Sequence, residues 1–68
     1  MRTYVVLGMA DERVAEAVRR SLEGHYGDSV TVETDVQSGT VRVDRAADPQ
    51  VVSLLVDSAG CGVVTVGD

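Results

Sequence analysis

Hydrophobic and polar residues fall into six blocks along the chain, and their spacing changes from block to block. Thr3–Met9 (TYVVLGM) is an apolar run of strand length. From Asp11 to Gly24 (DERVAEAVRRSLEG) the spacing becomes helical: Val14, Ala17, Val18 and Leu22 recur at i, i+3, i+4 and i+8. Glu12, Arg13, Glu16, Arg19, Arg20 and Glu23 take the other side, as an amphipathic helix requires. Asp11 suits the N-cap and Gly24 the stop. Ser29–Thr34 alternates, with Val30 and Val32 on one face, and Thr40–Asp44 alternates through Val41 and Val43. The turn-rich Asp35–Gly39 joins them, so the pair predicts an antiparallel hairpin. Asp48-Pro49 opens a second helix, Asp as cap and Pro at the first helical position. Its stripe is Val52, Leu55, Val56 and Ala59; Gly60 ends it, and Gly62–Gly67 is a last strand.

The predicted order β-α-β-β-α-β is the split βαβ pattern. The expected fold is a ferredoxin-like α+β sandwich, one domain over residues 1–68, with a four-stranded antiparallel sheet and two helices on one face. Val6, Val30, Val32, Val41, Val43 and the two helix stripes form the expected core. This topology gathers Met9–Asp11, Gln37–Gly39 and Gly60–Gly62 at one end of the sheet. His25 falls at the other end. The first strand is apolar on both faces, whereas two helices cover only one. Val5, Leu7 and one set from Val63–Val66 are therefore expected as an apolar patch on the open face. Such patches mark a homodimer or a protein partner; the plainer alternative is scattered surface valines.

Composition narrows the function classes. The 68 residues are 44% hydrophobic, but Tyr4 and Tyr26 are the only aromatics, so Val, Leu and Ala must build the core. A domain this small buries only about 60% of its unfolded surface and is marginally stable. Net charge is −5, all six basic residues are Arg, and no basic cluster occurs. That excludes a nucleic-acid partner, whose binding rests on neutralising phosphates, and an anionic membrane surface. No run reaches the ~20 apolar residues of a membrane span. One cysteine, Cys61, excludes an internal disulfide. The apolar stretch near the N-terminus is too short for a signal peptide, so the expected location is the cytoplasm.

Val6-x-Gly8-Met9, the first helix with Val14, Val18 and Leu22, the hairpin VTVETDVQSGTVRV and the exit SAGCGVVTV together resemble the heavy-metal-associated domain family. This family comprises soluble copper chaperones and metal-ATPase domains. The resemblance covers nearly the whole chain. It implies a ferredoxin-like fold, metal binding and transfer, Cu(I) or Zn as cargo, and a metal-transport ATPase as partner. The family binds soft metals through Cys-x-x-Cys at the start of the first helix, because thiolates suit such ions. Here Asp11 and Val14 occupy those places, so the family's ligands do not carry over.

A relocated site would draw on Cys61, Asp11 and Met9. Each has a plainer role: Cys61 as a small buried hydrophobe, Asp11 as a helix cap, Met9 as a core plug. Two Cys61 thiolates across a dimer would give a two-sulfur alternative. Gly60 and Gly62 suit a helix stop and turn more than an anion loop. His25 is a lone loop histidine. No nucleophile–base pair, paired carboxylates or Gly-rich phosphate motif is present, so no enzyme is expected. Two functions remain: metal handling through an altered site, with Cu(I), Zn or no metal bound, and a degenerate interaction or regulatory module. A small-molecule regulatory domain of the same topology is a third, which Gly8-Met9 does not single out.

Overall fold

The computed structural model describes residues 1–67. The elements are β1 (Arg2–Leu7), α1 (Glu12–Tyr26), β2 (Val32–Asp35), β3 (Thr40–Val43), α2 (Pro49–Ser58) and β4 (Gly62–Gly67), with a short 3-10 turn at Gly27–Ser29. The sheet order is β2-β3-β1-β4, and each neighbouring pair is antiparallel. This is the ferredoxin-like βαββαβ fold, with both helices on one face and β2 and β4 at the edges.

Facing residues across the ladder share a side of the sheet. Tyr4 stands opposite Val41, and Val41 and Val43 stand opposite Thr34 and Val32. Tyr4, Val6, Val41 and Val43 are buried on this side beneath Val18 and Leu22 of α1 and Val52 and Val56 of α2. The helices also bond to each other: the Ser21 hydroxyl donates to the Leu55 carbonyl at 2.9 Å.

Local ends differ from the sequence reading in three places. First, α1 runs through Gly24 to Tyr26 and is capped by Gly27 at φ 66°. A mid-helix glycine costs about 1 kcal/mol. Tyr26, packed against the core two residues on, offsets that cost, and Gly27, at a positive φ that glycine adopts freely, ends the helix with its N–H on the Glu23 carbonyl. Second, Ala15 rather than Ala17 joins Val18 and Leu22 on the buried stripe; Ala17 is exposed and Val14 half-buried. Third, the β2 ladder begins at Val32; Val30 is buried in extended backbone just before it. Pairing continues irregularly there, since the Asp44 N–H donates to the Thr31 carbonyl at 3.1 Å.

Tyr4 carries the one aromatic ring that is fully buried, and its hydroxyl finds no hydrogen-bond partner among the described residues. An unsatisfied buried polar group costs about 1–3 kcal/mol. Tyr4→Phe keeps the ring and removes the hydroxyl, so it is expected to raise stability by about 1 kcal/mol. Urea denaturation checks this; a loss of stability would reveal a partner for the hydroxyl.

The open face is apolar along β1, and of the β4 valines only Val64 is not opposite a buried residue of β1. Val5 (40% exposed) and Leu7 (71%) lie there, and Val5 stands opposite Thr40 and Thr65. Further out the face turns polar: Arg42 of β3 and Glu33 of β2 form an exposed ion pair at 3.5 Å. Val66 stands opposite buried Tyr4, so it belongs to the helix side at the sheet edge, not to the open-face patch.

Candidate metal site at the loop end of the sheet

The loop end is built by two turns that meet. Gly8, at φ 93°, turns the chain out of β1 toward α1, and the Ala10 N–H bonds back to the Gly8 carbonyl at 3.0 Å. Gly60, at φ 90°, ends α2, with its N–H on the Asp57 carbonyl at 3.0 Å. Cys61 follows at once, its own N–H on the Val56 carbonyl at 3.3 Å. A Cβ added to Gly8 would stand 3.9 Å from Cys61 Sγ and 3.8 Å from the Gly60 carbonyl oxygen. The β1–α1 turn and the cysteine are therefore in contact, as the topology predicted. The hairpin turn joins the same end, since the Gly39 carbonyl accepts the Val6 N–H at 2.8 Å.

Asp11 is the N-cap of α1. Its Oδ1 accepts the N–H groups of Arg13 at 2.9 Å and Val14 at 3.1 Å. Those two donors would otherwise be unpaired at the helix start. The residue as a whole is exposed. Met9 is 4% exposed and Cys61 6%, both within the hydrophobic core cluster. His25 lies near the far end of α1, edge-on to Tyr26 with ring centroids 4.7 Å apart, away from the loop end.

Burial pushes the Cys61 thiol above its ordinary pKa of 9.0, because an apolar surrounding disfavours the thiolate. With the folded pKa raised, the stabilising contribution is full below the unfolded pKa and is lost as pH rises through the folded one. Stability is therefore expected to decline on the alkaline side of about pH 9. The same protection slows chemistry at sulfur. Iodoacetamide labelling of the native chain at pH 8 is expected to be about tenfold slower than in denaturant. Equal rates would place the thiol in solvent.

The loop end thus offers soft donors, one thiol and one thioether, and one hard carboxylate already engaged as a cap. Among the described residues no three His, Cys, Asp or Glu side chains come together as a metal cage. Thiolate and thioether are the donor types that soft cations prefer. A bound cation also compensates the charge that burial penalises, and a coordinating thiol loses its proton outright. The burial of both sulfurs matches the plainer roles the residue types suggested, Cys61 as a small buried hydrophobe and Met9 as a core plug.

No known family pattern matches the sequence, and no curated relative matches it either. Solved structures do. The copper chaperone Atx1 from Synechocystis PCC6803, in its Cu2 form, superposes with a TM-score of 0.81 at 28% identity, covering 90% of this chain and 95% of that one. A trimeric Cu1 form of a point variant of the same protein matches equally, at 0.81 and 28%. A gold-binding protein matches at 0.81 over 93% of this chain and 95% of its own; at 17% identity it shows the fold alone. The chain therefore has the ferredoxin-like fold of metal chaperones.

Proposed function

We propose that the chain binds and hands on a soft metal ion of the Cu(I) class through Cys61, at a site altered from that of the family it resembles. One observation carries the reading: the only thiol in the chain is packed against Gly8, in the β1–α1 turn where the resembled family keeps its metal. The likeness to copper chaperones over nine-tenths of the chain supports it. Cys61 supplies the thiolate and Met9 the second soft donor. Asp11 acts on the site through the cap that fixes the turn. The ion is cargo, and a metal-transport ATPase is the partner that the resemblance implies.

The test is an anaerobic Cu(I) titration of the reduced chain beside Cys61→Ser and Asp11→Ala. Thiolate-to-copper absorption in the ultraviolet is expected from the parent and from Asp11→Ala, and none from Cys61→Ser. Absent absorption in the parent would overturn the proposal.

A second reading has its own observation. The Asp11 carboxylate is committed to capping, and Val14 has no donor atom, so the family's two ligand places are occupied by residues with structural roles. On this reading the fold is retained as an interaction module, and Val5 and Leu7 meet the partner. A chain that binds no metal yet retains a partner through Leu7, and loses it in Leu7→Glu, would establish it.

A further inference from the structure

β4 is the more open of the two sheet edges. It pairs with β1 on one side and, among the described residues, with no strand on the other. Its sequence, GVVTVG, carries no charge over six residues, and Val64 and Val66 are 58% and 46% exposed. Natural edges are usually blunted by charge, proline, shortness or a bulge. The opposite edge follows that rule: β2 has four residues, among them Glu33 and Asp35. β4 has only a bulge, at the shift between Val5 and Val6 of its partner strand, where Val64 is the unmatched residue.

We infer that β4 is the contact strand for a second copy of this chain, pairing antiparallel with its own counterpart to extend the sheet across a two-fold axis. Charge permits this occupant at β4 but not at the other edge. Symmetry sets one residue of β4 opposite itself. With Val64 or Thr65 on the axis, every opposed pair within Gly62–Gly67 is apolar or neutral, so no like charges meet. The same pairing through β2 would set acids near acids. Area limits the strength: one strand a side covers far less than the ~800 Å² of a standard interface. The dimer is accordingly weak and forms at high protein concentration. It also sets the two Cys61 sulfurs at opposite ends of the paired strands, about 20 Å or more apart. It is therefore independent of metal and distinct from any Cys61-bridged pair.

Sedimentation equilibrium up to about 1 mM chain, with chelator and reductant present, tests this. A reversible monomer–dimer equilibrium is expected. Added salt strengthens it, because each copy carries a net charge of −5 and the repulsion is screened. Val64→Lys and Val64→Glu are both expected to weaken the dimer at least about tenfold, since each sets like charges near the axis. Glu33→Lys on the other edge leaves it intact. If Val64→Lys strengthened association while Val64→Glu weakened it, overall charge rather than β4 would govern, and the inference would fail. A monomer throughout, or a dimer lost only in Cys61→Ser, would also overturn it.

Discussion

Leu22→Ala is expected to lower the unfolding free energy by about 3 kcal/mol, within the range for leucine truncation in a packed core. Leu22 is fully buried and is the largest aliphatic side chain so placed. It lies on the buried side of α1, in one core cluster with Val18, Val41 and Val43, all fully buried too. These neighbours are β-branched and stiff, so they close poorly over a void. A chain of this length has a total stability of about 3–10 kcal/mol. The substitution therefore removes a large part of it and shifts the melting midpoint down by about 15 °C. Leu54→Ala serves as the comparison, because Leu54 is 69% exposed on α2. It should change stability by no more than about 0.5 kcal/mol. Equal effects at both sites would mean that α1 does not pack as described.

The second large effect concerns metal. Cys61→Ser and Cys61→Ala are both expected to abolish Cu(I) binding, while Met9→Leu weakens it. The chain holds three sulfur atoms in all, in Met1, Met9 and Cys61, and only the last forms a thiolate. A hydroxyl is a hard donor that does not replace it. Two variants are needed because a serine hydroxyl buried at this position costs about 1–3 kcal/mol if unpaired. Alanine avoids that penalty and leaves only a small void. Loss of binding in both, with the circular dichroism of the folded state retained, assigns the loss to the sulfur. Retained binding in either variant would remove Cys61 from the site.

The architecture was legible because its periods are clean. Val30–Val32 and Val41–Val43 alternate, α1 repeats its apolar residues every three to four positions, and Asp48-Pro49 marks a helix start. The contact between Gly8 and Cys61, 53 positions apart, followed from topology once the element order was known. The end of α1 was not legible. Gly24 carries the ordinary stop signal, and only the packing of Tyr26 and the positive φ of Gly27 override it. Ala15 and Ala17 are indistinguishable by residue type, and the sheet beneath decides which is covered. Ala47 is buried from a turn, where tertiary contact and not local pattern sets exposure, whereas residue type alone suggested the burial of Met9 and Cys61. At the loop end the sequence named Asp11, Met9 and Cys61 together. The structure gives each a fitted local role, Asp11 holding the start of α1 and the two sulfurs closing the core beneath the turn.

The central claim is that a scaffold shared with copper chaperones handles a soft metal here with one thiol instead of two. Competition for Cu(I) between the reduced chain and a chromophoric chelator, under anaerobic conditions, measures this most directly. The account predicts that the chain withdraws copper from the chelator to a fixed endpoint, and that the endpoint disappears with Cys61→Ala. A chelator that keeps all its copper at every chain concentration would contradict it.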